Sequence, residues 1–170
     1  MYCIAAIDRN GAIGANGELL FHIRADLQNF KALTTGKVIV YGRKTLKTFP
    51  GGKPLKNRTN IILSRNPDFK CEGALVCHSI EELMEKTKDF DARSMFVIGG
   101  ESIYRQLQPY IDCIYLTRVD TERKDADAYF FFLDSWWNEK IVSEGEEGGL
   151  HYKICKLTRS TRHDDKEESR

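Results

Sequence analysis

One carboxylate in the sequence lies where it could take part in chemistry. Asp26 belongs to the stretch 21–31, which changes from a loop composition to an amphipathic helical pattern. If Ile23, Leu27 and Phe30 face the core at helical spacing, Asp26 is next to that apolar stripe and can reach the rim of a cavity. A carboxylate there needs a partner, because burying an unpaired charge is costly. The alternative is a solvated acid that complements the helix dipole from the first turn, and spacing alone does not decide.

Two predicted strand-to-helix junctions carry groups that suit a phosphate. The first is Gly-Arg-Lys-Thr at 42–45, where two cations and a hydroxyl adjoin exposed backbone N–H groups. The second is Gly-Gly-Glu-Ser at 99–102, where two glycines allow a ligand to approach the backbone closely. The third glycine of a dinucleotide fingerprint is missing. Ordinary turn chemistry explains each junction alone, whereas the two together are consistent with a dinucleotide site.

Two arginines lie at the two ends of a predicted strand, and each could recognise an anion. Ser64 and Arg65 offer a hydroxyl and a guanidinium that could hold a ribose 2′-phosphate, which favours NADP over NAD. Arg58 has the rigid fork that clamps a carboxylate. The alternative for both arginines is a solvated surface position.

The elements that position these groups follow from short apolar runs alternating with amphipathic stretches, a pattern typical of a sheet with crossover helices. Strands are predicted at 2–7, 37–41, 58–64, 74–77, 95–98 and 113–119, with a C-terminal hairpin of 140–143 and 151–157. Helices are predicted from within 21–31 to near Thr35, over 43–49, after a capping box of Ser79 and Glu82, and over 101–107. The glycine-rich stretch 8–17 is predicted to be a long flexible loop.

Length, charge and cysteine content limit the class of protein to which the chain can belong. The chain has 170 residues, 41% hydrophobic and 30% charged, which fits one soluble domain. A formal net charge of +1 gives no electrostatic reason to expect nucleic acid or a membrane as partner. Five cysteines without a C-x-x-C pair favour free thiols in a reducing compartment over disulfides or a zinc site. We expect a cytoplasmic protein without a signal peptide, ending in a polar, disordered tail.

Seven separated blocks of the chain occur in an informative order and spacing. They are Ala5-Ala6-Ile7, Gly14, Ala25-Asp26-Leu27 with Phe30-Lys31, Gly42-Arg43-Lys44-Thr45, Arg58 with Asn60 to Arg65, Val97 to Tyr104, and Tyr115-Leu116-Thr117. This order resembles the dihydrofolate reductase family over residues 1–159 and leaves 160–170 as the tail. The resemblance implies a three-layer α/β fold, in which helices flank an eight-stranded, mostly parallel sheet with an antiparallel C-terminal strand. It also implies a monomer that reduces 7,8-dihydrofolate to tetrahydrofolate with NADPH, by hydride transfer to C6 and protonation at N5.

The resemblance also implies roles for residues at the substrate. It assigns catalysis to the positions of Phe21, Asp26 and Thr117, with Asp26 pairing with the 2-amino group and N3 of the pterin. A carboxylate accepts two parallel hydrogen bonds, fixes the ring and favours the protonated imine that accepts the hydride. Phe30 and Phe49 would pack on the pterin and benzoyl rings. The implied substrate site contains Ile4, Ala5, Asp26, Leu27, Phe30, Phe49, Leu55, Arg58, Ile98 and Tyr104, with Arg58 on the glutamate α-carboxylate of folate.

For the cofactor, the resemblance implies a longer site. Its residues are Ala6, Ile13, Gly14, Gly42, Arg43, Lys44, Thr45, Leu63, Ser64, Arg65, Ile98, Gly99, Gly100, Glu101, Ser102, Ile103 and Tyr104. The bond between Gly99 and Gly100 resembles the family's cis peptide. The loop 10–17 resembles a mobile loop that closes over the nicotinamide and excludes water.

Several departures from the family's pattern lie at this site. Leu20 and Phe21 stand where the family has proline and tryptophan, and Arg24 stands where it has a proline two residues before the acid. If Arg24 approaches Asp26, it would keep the carboxylate ionised and compete for it. Leu46 replaces a common tryptophan, and Phe-Phe-Phe at 130–132 replaces a phenylalanine-proline pair.

Two other functions remain open from the sequence. A related reductase of a ribosylamino-pyrimidine, as in riboflavin synthesis, would share the fold, but Asp26, Phe30 and Arg58 argue against it because that substrate lacks a pterin and a glutamate. A non-catalytic folate- or nucleotide-binding protein is suggested by Phe21 and Arg24. Turnover of NADPH in the presence of dihydrofolate would distinguish a reductase from a binding protein.

Overall fold

A computed structural model describes residues 1–160. The strands are β1 (Tyr2–Ile7), β2 (Ala12–Ala15), β3 (Glu18–Leu19), β4 (Val38–Gly42), β5 (Thr59–Leu63), β6 (Ala74–Cys77), β7 (Met95–Gly99), β8 (Cys113–Val119), β9 (Ala128–Tyr129), β10 (Trp137–Glu147) and β11 (Leu150–Arg159). The helices are α1 (Arg24–Thr34), α2 (Arg43–Leu46), α3 (Ile80–Lys86) and α4 (Glu101–Leu107), with short 3₁₀ turns at Pro50–Gly52, Ala92–Ser94 and Gln108–Tyr110. The predicted polar tail lies outside the described residues, apart from Ser160.

Eight of the described strands form one sheet in the order β10-β11-β8-β1-β7-β4-β5-β6. The pairs from β8 to β6 are parallel, whereas β11 runs antiparallel to both of its neighbours. This confirms the predicted sheet with its antiparallel C-terminal strand. In a parallel sheet the carboxyl ends of the strands meet at one edge, where ligands of open α/β sheets bind.

The central strands are apolar because the sheet is covered on both faces. Ile39 and Val40 are successive residues of β4, so their side chains point to opposite faces, and both are fully buried. Ile39 packs in a cluster with residues of α1, whereas Val40 packs with the apolar residues of α3 and α4. This arrangement gives the three layers that the resemblance implied.

Two predicted loops contain more regular structure than expected. Within 8–17, β2 turns into β3 through Asn16 and Gly17, whose φ angles are 53° and 78°, and β9 adds a third strand. Asn-Gly favours such a tight hairpin because both residues tolerate positive φ. In the C-terminal hairpin, the strands continue through 144–147, and only Gly148 and Gly149 form the turn. Helix α2 is also shorter than predicted, ending at Leu46.

A buried carboxylate holds the start of the 8–17 segment. Asp8 is 2% exposed, and its Oδ1 accepts the N–H groups of Asn10 and Ala12 at 2.8 and 2.9 Å. Its Oδ2 accepts the N–H of Arg123 at 2.9 Å. The segment is thus tied to the loop that precedes β9.

Replacing this carboxylate should destabilise the protein. We expect Asp8→Ala to lower the free energy of unfolding by about 2 kcal/mol, because buried N–H groups lose their acceptor. Asp8→Asn should cost less, since one oxygen still accepts. Urea unfolding followed by circular dichroism measures both variants, and an unchanged midpoint for Asp8→Ala would contradict this role.

No helix within residues 1–160 is long and apolar enough to span a membrane. All five cysteines lie in this part of the chain and are free thiols. Four of them are buried, namely Cys3, Cys77, Cys113 and Cys155.

Candidate active site

Two adjoining cavities lie at the carboxyl edge of the parallel strands. The smaller has a volume of about 260 Å³ and an apolar lining, in which Asp26 is the one carboxylate contributed by the described residues. The larger has a volume of about 1140 Å³ and a lining rich in cationic and hydroxyl side chains. Residues common to both linings are Ile13, Leu19, Thr45, Thr48 and Gly100.

Asp26 lies in the first turn of α1 and points toward β8. The hydroxyl of Thr117, a residue of β8 that is 2% exposed, donates to Asp26 Oδ1 at 2.6 Å. Burial raises the pKa of the Asp26 carboxyl above its ordinary value, and the hydrogen bond from Thr117 opposes part of that rise. The interpretation of Asp26 as a fully solvated first-turn acid is therefore wrong.

The raised pKa predicts a dependence of stability on pH. The raised pKa means that the folded protein binds the Asp26 proton more tightly than the unfolded chain does. The protonated carboxyl therefore contributes fully to the free energy of unfolding at a pH below the ordinary pKa of aspartate. This contribution is lost as the pH rises through the folded-state pKa. We expect Asp26→Asn, which keeps an acceptor for Thr117, to raise the Tm of the ligand-free protein at neutral pH by a few degrees. Calorimetry across pH should show the difference vanish in acid, and a lower Tm at neutral pH would contradict the prediction.

Arg24 does not pair with Asp26, so the competition considered from the sequence does not occur. Its side chain is 81% exposed, and Nε lies 4.0 Å from Glu147 on the C-terminal hairpin. The backbone N–H of Arg24 donates to the same carboxylate. Asp26 is therefore free of a competing cation from this position.

The apolar stripe of α1 divides between core and cavity. Ile23 is buried at 3% exposure, whereas Leu27 is 47% exposed and lines the smaller cavity, so the two residues do not share a core position. Phe30 also lines this cavity. A helix at the edge of a cavity can present apolar residues to a ligand instead of to the protein interior, and helical spacing does not distinguish these cases.

The smaller cavity brings together most of the side chains predicted to contact substrate. The predicted residues that line it are Ile4, Ala5, Phe21, Asp26, Leu27, Phe30, Phe49, Leu55, Ile98 and Tyr104. Four lining residues were missed by the prediction of either site, namely Leu19, Leu20, Thr48 and Pro50. Each is close in sequence to Phe21 or Phe49, and that proximity is the signal that could have found them.

Arg58 lies outside the lining of this cavity but beside one of its walls. Its guanidinium carbon is 5.8 Å from the centre of the Phe30 ring. Nε donates to Thr34 Oγ1 at 3.1 Å and Nη1 donates to the carbonyl of Lys56 at 2.9 Å. These bonds hold the guanidinium and leave donors on Nη1 and Nη2 for an anion.

Tyr104 lines the smaller cavity and is 4% exposed. Its hydroxyl donates to the carbonyl oxygen of Ile4 at 2.6 Å, and burial raises its pKa well above the ordinary value. The phenol therefore stays protonated and structural near neutral pH. Its ring also packs edge-on against Phe130, with centroids 4.8 Å apart.

The larger cavity collects the residues predicted to bind the cofactor. They are Ile13, Gly14, Gly42, Arg43, Lys44, Thr45, Leu63, Ser64, Arg65, Gly100, Glu101, Ser102 and Ile103, whereas Ala6, Ile98, Gly99 and Tyr104 line the smaller cavity only. Lining residues missed by the prediction include Asn66, His78, Ser79, Arg105 and Gln106. Ser79 was missed because the sequence identifies it only as a helix cap.

The charge in this cavity fits phosphate groups. Arg43, Lys44 and Arg65 have no carboxylate partner among residues 1–160, whereas Arg105 pairs with Glu101 at 2.8 Å. The Gly99–Gly100 bond is cis, as the resemblance implied, and a Cβ on Gly100 would lie 3.6 Å from Thr45 Oγ1. Glycine backbone beside cations that have no carboxylate partner within residues 1–160 is a lining that suits an anionic dinucleotide.

Comparison with known proteins decides the family, because the family model described as dihydrofolate reductase matches residues 1–159. The chain belongs to the dihydrofolate reductase family. It is 38% identical to dihydrofolate reductase of Mycobacterium leprae over 164 residues, which cover 92% of this chain and 96% of that protein. It is 39% identical to the Haemophilus influenzae enzyme over 136 residues, covering 80% of each chain.

A solved structure supports the same family. Dihydrofolate reductase from Enterococcus faecalis, complexed with NADP(H) and RAB-propyl, superposes with a TM-score of 0.83 at 32% identity, covering 94% of this chain and 96% of that chain. Dihydrofolate reductases are NADPH-dependent oxidoreductases that convert dihydrofolate to tetrahydrofolate. This is the activity of the family to which the chain belongs, and NADPH is its cofactor.

The β2–β3 hairpin contributes residues to the lining of the larger cavity. The N–H of Asn16 donates to Asp127 Oδ2 at 3.0 Å, and the N–H of Asp127 donates to the carbonyl of Gly14 at 3.0 Å. Gly14 and Asp127 both line the larger cavity. The hairpin thus forms one wall of that cavity and is held by the loop before β9.

Two departures from the dihydrofolate reductase pattern are accommodated by packing. Phe21, which stands where the resemblance implies a tryptophan, is 7% exposed and packs in a buried apolar cluster with Leu20 and Ile23. Phe130 and Phe131 are buried and stacked with centroids 4.1 Å apart, whereas Phe132 is 84% exposed.

Proposed function

We propose that this chain reduces 7,8-dihydrofolate with NADPH by holding the pterin on Asp26 in the smaller cavity. The observation that carries the assignment is one partly buried carboxylate, held by Thr117, in an apolar cavity that adjoins a cationic one. A pterin presents two adjacent donors, N3–H and the 2-amino group, that match the two oxygens of a carboxylate. The apolar walls supply contact for its flat ring.

Asp26 acts in this proposal through its charge and its geometry. Two hydrogen bonds from the pterin favour the ionised carboxylate and so offset the effect of burial on its pKa. The negative charge then stabilises the protonated N5=C6 imine, because water is largely excluded and electrostatic interactions are strong. When bound, NADPH supplies the hydride that adds to C6 while a proton is taken up at N5.

Other residues in the proposal bind and orient. Phe30 and Phe49 face the ring system, and the free donors of Arg58 take the α-carboxylate of the glutamate. Arg43, Lys44, Ser64 and Arg65 would hold the phosphates of NADPH. The glycines and hydroxyls around Thr45 would line the ribose and nicotinamide.

The proposal extends to organisation and location. We assign the catalytic domain to residues 1–159 and a separate tail to 160–170. We propose that the chain acts as a monomer, as the resemblance implied. A cytoplasmic location, without nucleic acid or membrane as partner, is supported by the free cysteines and the net charge of +1.

A simple assay tests the function. The purified chain is mixed with NADPH, with dihydrofolate, or with both, and the absorbance of NADPH is followed. We expect loss of NADPH only when both are present, with tetrahydrofolate identified by mass spectrometry. Tight binding of both ligands without turnover would contradict the proposal and favour the non-catalytic binding protein.

A further inference from the structure

Helix α1, which carries Asp26, lacks a side-chain cap of its own. It begins at Arg24, and its N-cap residue is Ile23, whose side chain accepts no hydrogen bond. First-turn N–H groups have no partner inside a helix, so they need an acceptor from elsewhere. For the N–H of Arg24, that acceptor is the carboxylate of Glu147, 123 residues later in the chain, with an N···O distance of 2.5 Å.

The C-terminal hairpin places Glu147 at this position. Glu147 is the last residue of β10 and pairs with Leu150 across the two-glycine turn. Leu150 and Tyr152 pack against the buried cluster that contains Phe21 and Ile23. The hairpin end therefore contacts the start of α1 through apolar side chains as well as through the carboxylate.

The same hairpin supports the other side of Asp26. Ile154 of β11 pairs with Thr117 of β8, and Thr117 donates to the Asp26 carboxylate. Strand β11 thus pairs with the residue that donates to Asp26, and the turn between β10 and β11 places Glu147 beside the helix that carries Asp26. Arg24 and Asp26 lie in the same turn of α1, so loss of the Glu147 carboxylate would alter the position of Asp26.

The contact that matters is with the backbone of Arg24, not with its side chain. The guanidinium is 81% exposed and 4.0 Å from Glu147, and ion pairs at exposed positions contribute little. Glu147 therefore satisfies a backbone donor that exists because residue 24 is an arginine, since a proline at this position would have no N–H to donate.

We infer that Glu147 is a positioning residue for dihydrofolate reduction, which orients Asp26 by capping the N-terminus of α1. The inference rests on the proposed role of Asp26. It predicts an effect on substrate binding that does not extend to the cofactor, because the larger cavity is built from other elements.

Steady-state kinetics of the full chain tests this role. We expect Glu147→Ala to raise the KM for dihydrofolate about three- to tenfold, with an unchanged Kd for NADPH. Glu147→Gln keeps an acceptor oxygen and should restore most of the affinity. The matched control is Glu146→Ala, which removes a neighbouring exposed carboxylate that faces His151 at 3.2 Å and should leave the KM unchanged.

Arg24→Pro provides a second background. Ile23 has φ −86° and ψ 123°, a conformation that suits a residue before proline, and proline is favoured at the first helical position. With no N–H to cap, Glu147→Ala should no longer change the KM in this background. An equal increase in both backgrounds would overturn the inference, as would a Glu147→Ala variant that loses stability with its KM unchanged. Absence of turnover in the unsubstituted chain would instead contradict the proposed function.

Discussion

Asp26→Asn should lower kcat for dihydrofolate reduction by about 10²- to 10³-fold, the range found when one preorganised electrostatic group is removed. The asparagine still fits the cavity and still accepts from Thr117, but it carries no charge to stabilise the protonated imine. Its amide also presents a donor where the pterin offers donors. The Kd for NADPH should stay unchanged, because Asp26 lines the smaller cavity and not the larger one. Stopped-flow measurement of hydride transfer, with fluorescence titration of NADPH, separates the two effects.

A matched control tests whether this loss belongs to the site. Asp89 is an exposed aspartate that lies outside both cavities. Asp89→Asn removes the same charge and should retain full turnover. Near-normal turnover by Asp26→Asn would show that Asp26 is not needed for the reaction. A parallel loss of NADPH binding would indicate general disruption of the protein.

The sheet could be predicted from the sequence because its signal is local. Continuous apolar runs such as those around Ile39 and Val97 can be accommodated only in strands covered on both faces, and each was found as a strand. The β2–β3 hairpin was missed although its Asn-Gly turn is a local signal as well. Its strands are too short to show apolar alternation, and its stability comes from Asp8 and from β9 far along the chain.

The site was less predictable because its contacts join distant parts of the chain. Thr117 and Asp26 are 91 residues apart, and no spacing rule links them. Only the resemblance to dihydrofolate reductases placed them together. Leu27 shows the limit of periodicity, since the same helical spacing describes a core residue and a residue facing a ligand. Glu147 had no sequence signal, because a glutamate in a polar hairpin is ordinarily solvated.

Removing a phosphate contact should produce the second large effect. Arg65 follows β5 at the larger cavity, is exposed, and has no carboxylate partner within residues 1–160. Its guanidinium and the neighbouring Ser64 hydroxyl suit a ribose 2′-phosphate, the group that distinguishes NADPH from NADH. We expect Arg65→Ala to raise the KM for NADPH about ten- to a hundredfold and to leave the KM for NADH and kcat unchanged. Steady-state kinetics with each cofactor measures the change in preference.

Ionic strength and a second arginine separate a specific phosphate contact from a general loss of positive charge. Screening weakens attraction between exposed charges, so added salt should raise the KM of the unsubstituted chain for NADPH and narrow its difference from Arg65→Ala. Arg93 is exposed and lies outside both cavities, so Arg93→Ala should behave like the unsubstituted chain with both cofactors. If Arg65→Ala weakens the binding of NADH as much as the binding of NADPH, the guanidinium contacts a part that both cofactors share. The 2′-phosphate would then have to be recognised by Arg43 or Lys44 at the neighbouring junction.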